Sequence, residues 1–98
     1  MGEVWSVRVR YTLTAARQIE AALDFLASES PQAAFRLQER ILSVVALLQA
    51  HPQAGRLTSK RGIRRFPLSS FPYLIDYRAT DRDIVVRRFR HTARRPLS

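Results

Sequence analysis

The stretch WSVRVRYTL, residues 5 to 13, alternates apolar and polar positions, with Trp5, Val7, Val9, Tyr11 and Leu13 on one side and Ser6, Arg8, Arg10 and Thr12 on the other. A period of two predicts a strand with one buried face. From Thr14 the period lengthens. Ala15 or Ala16, Ile19, Leu23 and Leu26 recur every three to four residues, and the Thr14 hydroxyl is placed to cap the free amides, so an amphipathic helix is expected to end near Ala27. SESP breaks that helix. Ser30 followed by Pro31 then starts a second one: the hydroxyl caps backbone N–H groups, and a proline at the first helical position gives up a donor that would have no partner. Its apolar face is Ala34, Leu37, Ile41, Val44, Val45 and Leu48, with Arg36, Glu39, Arg40 and Ser43 facing outward. Leu42, Ala46 and Leu47 widen that face, which predicts contact with both the neighbouring helix and a sheet. His51, Pro52 and Gly55 end the helix near Ala50, with His51 expected to meet the last carbonyls. So short a connection between helices makes an antiparallel αα-hairpin.

The remaining chain is β in character. IRRFPL, YLIDYR and IVVRRFR are short β-branched or aromatic runs, separated by SSFP and ATDRD, which are made of turn-forming residues. Pro67 cannot donate to a ladder, so its strand belongs at an edge or carries a bulge. Regular alternation along the last run places Arg88 and Arg90 with Ile84 and Val86, and Arg87 with Phe89 on the other face. The order β-α-α-β-β-β predicts an α+β fold, a helical hairpin packed on a small, largely antiparallel sheet, with residues 1–98 as a single domain.

Charge changes the picture. The chain carries 17 Lys and Arg against 8 Asp and Glu. Residues 1 to 57 hold six cations and five anions, and residues 58 to 98 hold eleven and three. A one-sided excess of this kind raises the local potential and favours an anionic or acidic partner. Charge at a strand edge also discourages aggregation, but five arginines among residues 87 to 95 repel one another with few carboxylates near in sequence to offset them. Asp76, Asp81 and Asp83 are the candidates to pair with one or two of them. There is no cysteine and the two histidines lie far apart, so neither a disulfide, a thiolate, a metal site nor a cofactor is expected. VVALL is far too short to span a bilayer, and the expected location is cytoplasmic. MGEVWS fits a myristoylation pattern, but the pattern demands so little that the segment is read as the approach to a strand.

Taken in order, the strand leading into LTAARQIEAALDFLA, the SPQAAFRLQERI helix, the HPQAGR exit, the GIRRFPLSSFPYLIDYR hairpin and the closing VRRFRHTARRP resemble the ParE branch of the RelE/ParE toxins of bacterial type II toxin-antitoxin pairs. The resemblance covers nearly the whole chain and implies the fold derived above. It implies a protein that poisons DNA gyrase by binding, without chemistry of its own, and that forms a hetero-oligomer with a ParD-like antitoxin. On this reading Arg88, Arg90, His91, Arg94 and Arg95 carry toxicity and target binding, with nucleic acid reached through the gyrase-DNA complex. Arg65, Phe71, Tyr73 and Arg78 are the expected antitoxin contacts.

RelE-like relatives instead cut mRNA on the ribosome, and the residues bear on that alternative. Metal-free RNA cleavage needs a base for the 2′-hydroxyl, an acid for the leaving oxygen and cations for the phosphate. The cations are present, with Arg64, Arg65, Arg87, Arg88 and Arg90 all candidates for phosphate. Proton transfer would fall to His91, Tyr73 or Tyr77. Leu74 stands where the RelE branch usually has an arginine, and no tyrosine follows Tyr77, so no catalytic residue is assigned. His91 is read first as a hydrogen-bonding packing residue. A plain nucleic-acid-binding module is the remaining reading, but the second helix is too apolar to read bases.

Overall fold

The computed structural model describes residues 7–93. Trp5, Arg94 and Arg95 lie outside that range, and the expectations placed on them are not addressed by the structure. Strand β1 (Arg8–Tyr11) leads into helices α1 (Leu13–Glu29) and α2 (Pro31–Ala50), followed by β2 (Arg56–Leu57), β3 (Arg64–Leu68), β4 (Tyr73–Ala79) and β5 (Asp83–His91). The strands form one sheet in the order β1-β5-β4-β3-β2. Only the β1–β5 pairing is parallel, so this is the expected α+β fold with one short extra strand, β2.

Local chemistry sets the helix boundaries. The first helix begins earlier than expected because Thr12, not Thr14, is its N-cap: the Thr12 hydroxyl accepts from the Ala15 amide at 3.1 Å. The chain therefore leaves the strand at Tyr11, and Leu13 opens the helix 65% exposed instead of continuing an inward-facing row. At its other end α1 runs through Ser28 and Glu29. Ser30 alone joins the helices. Its extended backbone lets its N–H reach the Leu26 carbonyl while its hydroxyl accepts from Ala33, so a single residue closes one helix and opens the next. At the end of α2 it is the backbone N–H of His51 that bonds the Leu47 carbonyl.

The core lies between the hairpin and one face of the sheet. Ala15, Leu37, Ile41, Val44, Val45 and Leu48 from the helices meet Leu68, Ile75, Tyr77, Ile84, Val86 and Phe89 from the strands, with Ile19, Leu23 and Leu26 partly buried around them. Helix α2 does touch both α1 and the sheet, as expected, but through its narrow buried face, since Leu42 and Leu47 are exposed. Because β2 pairs only with Arg64 and Arg65, Pro67 sits where β3 has no outer neighbour, and its missing N–H costs no ladder bond.

The tyrosine at the centre of the core also fixes the loop after α2. The Tyr77 hydroxyl donates to the Pro52 carbonyl at 2.7 Å and accepts from the Gly55 amide at 2.8 Å. A Cβ on Gly55 would lie 2.7 Å from the Tyr77 ring and hydroxyl, so no larger residue fits there.

The main departure from the sequence reading is a β-bulge. Across β4 and β5, Tyr77 pairs with Val86 but Asp76 pairs with Arg88, so Arg87 is an extra residue on β5. The insertion reverses the alternation that follows. Phe89 joins Ile84 and Val86 on the helix side, 3% exposed, while Arg88 and Arg90 fall on the opposite face, beside Asp76 and Leu74. Regular alternation had placed them the other way round. Where β5 outruns β1, side chains replace the ladder: the Thr12 hydroxyl donates to the Arg87 carbonyl at 3.0 Å, and Gln18 Oε1 accepts from the Phe89 amide at 2.8 Å.

Candidate functional site

On the face of the sheet away from the helices, strand pairing sets Arg56, Arg65, Asp76 and Arg88 side by side across four strands, with Pro67, Leu74 and Arg90 in the next row. These residues line a groove of about 770 Å³, joined by Lys60 and Arg87. Thr58 and Ser59 add hydroxyls at its wall, and Leu74 and Pro67 give it an apolar floor. Six cations therefore face one carboxylate.

That carboxylate organises its neighbours. Asp76 is buried, its side chain 7% exposed, and Arg65 grips it in a two-pronged fashion: Nε donates to Oδ1 at 2.7 Å and Nη2 to Oδ2 at 3.1 Å. The hydrogen bond to Asp76 raises the pKa of Arg65 above its already high ordinary value. Arg90 approaches from the other side, with Nη2 at 3.5 Å from Oδ2. Its Nε is buried and has no hydrogen-bond partner among the described residues. Among the described residues no carboxylate lies within ion-pair distance of Arg56, Lys60, Arg87 or Arg88. Asp83 belongs to the opposite edge, where it pairs with Arg8 and Arg10.

A second groove, of about 790 Å³, lies between α1 and the β4–β5 end. It is largely apolar and aromatic, built from Phe25, Leu26, Phe71, Tyr73 and Phe89. Arg88 and Arg90 line both grooves and form the boundary between them. His91 lines only the second. Its ring meets Tyr73 edge-on at 5.1 Å, and its Nδ1 accepts from the Ala93 amide at 3.1 Å, while Tyr73 stacks on Phe89 at 4.7 Å.

Arg88, Arg90 and His91 are therefore neighbours, but the histidine lines only the aromatic groove whereas the two arginines border both. The four expected antitoxin contacts do not share a surface. Arg65 lines the first groove and Phe71 and Tyr73 the second, while the exposed Arg78 lines neither. Arg64, a candidate for phosphate, is occupied by the loop after α2, donating to the Gly55 carbonyl at 2.8 Å. Tyr77 is unsuited to proton transfer: burial raises its pKa above the ordinary phenol value, outweighing the opposing effects of the Gly55 amide and Arg64.

Sequence reasoning missed Arg56 and Lys60, which reach the groove from the β2 segment, and the central place of Asp76. A signal for the bulge was present. The spacing of two from Ile84 to Val86 becomes three from Val86 to Phe89, which marks an inserted residue in a strand with one buried face.

A family model described as the ParE toxin of the type II toxin-antitoxin system parDE matches residues 9–96. Y4kP of Sinorhizobium fredii (strain NBRC 101917 / NGR234), a protein provisionally described as a toxin, is 33% identical over 79 residues, covering 81% of each chain. Among solved structures, a chain of the chromosomal ParDE toxin-antitoxin system from P. aeruginosa superposes with a TM-score of 0.74 at 25% identity, covering 87% of this chain and 95% of that one. Sequence and fold thus agree: the chain belongs to the ParE family, the toxins of type II toxin-antitoxin systems.

Proposed function

We propose that this ParE toxin acts in the cytoplasm by poisoning DNA gyrase through binding, and that a ParD-like antitoxin neutralises it as a hetero-oligomer. The observation that carries the reading is the groove on the open sheet face. It gathers six cations and contains no histidine or tyrosine, and its one carboxylate is held by two arginines. A surface of that kind grips an anionic partner but has no free group to move a proton. Target binding is assigned to Arg88 and Arg90, together with Arg94 and Arg95 of the terminal segment. His91 contributes by packing edge-on against Tyr73 and accepting from the Ala93 amide.

The antitoxin is assigned to the exposed apolar residues and the aromatic groove, with Phe71 and Tyr73 as anchors and Arg65 and Arg78 as outlying charge contacts. Phe25, Phe35, Leu42 and Leu47 are exposed on the helices, and a flexible acidic-apolar segment could cover such a surface as it orders.

Purified toxin incubated with gyrase, ATP and supercoiled plasmid should accumulate cleaved DNA, and addition of the cognate antitoxin should reverse this. Unperturbed gyrase across a wide toxin range, alongside translation-dependent mRNA cuts in a coupled reaction, would transfer the assignment to the RelE-type activity.

A further inference from the structure

We infer that the arginine groove is itself a phosphodiester site, binding the sugar-phosphate backbone of a single nucleic-acid strand without reading its bases. The inference goes beyond the gyrase reading, since it concerns the free toxin and one groove. Strands about 4.8 Å apart make the row from Arg56 to Arg88 about 14 Å long, and Arg88 and Arg90 stand about 7 Å apart along β5. Cations therefore extend in two directions across a concave surface, as a chain of phosphates requires and a lone carboxylate does not.

Asp76 is the positioning residue. By holding Arg65 through Nε and Nη2 it fixes that guanidinium plane, and it draws Arg90 Nη2 to within 3.5 Å as an ion pair. The Arg65 and Arg90 side chains stay 37% and 36% exposed, so guanidinium N–H groups that Asp76 does not engage remain open to the groove. A guanidinium presented edge-on suits a phosphate oxygen.

The exposed large apolar side chains lie mostly outside the cationic groove, which meets the aromatic one only at Arg88 and Arg90, and this favours a nucleic acid over an acidic-apolar peptide as the occupant of the cationic groove. Of the exposed large apolar side chains, only Leu57 lines the cationic groove, while Leu13, Phe25, Phe35, Leu42 and Leu47 are on the helices. A peptide with apolar anchors finds them there. The groove floor of Leu74 and Pro67 gives sugars an apolar bed, and the one aromatic residue in its lining, Phe66, is packed against the core, so stacking contributes little and binding should depend only weakly on sequence.

The test is fluorescence anisotropy of the full-length toxin with labelled single-stranded DNA and RNA oligonucleotides and a duplex, with no gyrase present, so that it can fail while the gyrase reading stands. Binding of at least one single-stranded species is expected to be tighter than binding of the duplex. For three phosphate contacts, single-strand affinity should fall about 20-fold between about 50 and about 200 mM salt. Arg88→Gln/Arg90→Gln should weaken binding at least tenfold at low salt and flatten the salt dependence, with an unchanged circular-dichroism spectrum. Asp76→Asn is the sharper variant. It adds one unit of positive charge, so attraction by charge alone would tighten binding, whereas loss of positioning weakens it, and Asp76→Glu should restore part of the loss. The oligonucleotide should be recovered uncut. Salt-insensitive binding, an unaffected Arg88/Arg90 variant, tighter binding by Asp76→Asn, or equally good competition by polyglutamate would each overturn the inference.

Discussion

Ile75, Tyr77, Ile84, Val86 and Phe89, on the helix-covered face of the sheet, are at most 3% exposed, whereas the neighbouring positions of the same strands on the open face carry Arg65, Asp76, Arg88 and Arg90. One face is closed by the molecule itself. The other is left charged, with a single acid shared between two of its arginines. The bulge at Arg87 makes this separation possible. Without it, the pattern of β5 would drive Arg88 and Arg90 into the core and Phe89 into solvent. The irregularity thus keeps Arg88 and Arg90 on the open face together with Arg65.

The largest effect should come from the covered face. Phe89→Ala removes a buried ring stacked on Tyr73 and is expected to cost about 3–5 kcal/mol. Thermal denaturation would record a fall of at least about 12 °C in Tm. A loss as small as that of a surface substitution would mean that Phe89 does not face the core.

Tyr77→Phe keeps the ring but leaves the Gly55 amide and the Pro52 carbonyl without their partner, at a cost of about 1–3 kcal/mol by chemical denaturation. The same hydroxyl has a pH signature. Burial raises its folded-state pKa above the unfolded value of 10.0, so its stabilisation is fully present below that pH and is lost as pH rises through the folded pKa. Tyr11, also raised by burial, has the same sign. The wild type should therefore lose stability above about pH 10 more steeply than Tyr77→Phe.

Deleting one of the paired residues Arg87 and Arg88 should be milder still. It makes β5 regular, keeps Phe89 inward and one arginine beside Asp76, and costs about 1 kcal/mol through the Thr12 contact to the bulged carbonyl. A folded two-dimensional NMR spectrum is expected. An unfolded chain would show that the bulge supports the fold beyond setting its alternation.

At the small end, Arg88→Gln on the open face should change stability by no more than about 0.5 kcal/mol while reducing toxicity.

The sequence readily disclosed features set by near neighbours. The Ser30–Pro31 helix start, the inward positions of α2 and the three strands from residue 64 onward follow from caps, periodicity and turn residues acting over a few positions. Thr12 was displaced as a cap by Thr14 because both lie in a threonine-bearing approach to the helix, and only the end of the β1–β5 pairing decides between them. The groove was less legible, because it depends on which strands become neighbours. Arg56 and Arg65, or Asp76 and Arg90, meet through a sheet order that no local pattern records. Reading β5 by strict alternation also hid the bulge, and two identical residues at the insertion left composition silent about it.

The most direct test of the central claim is growth arrest on induction of the Arg88→Gln/Arg90→Gln variant in cells lacking the antitoxin, compared with wild type at matched soluble protein and matched Tm. If the open face is the working surface, the folded variant should allow growth where the wild type stops it. Equal lethality from the two proteins would place toxicity elsewhere on the molecule.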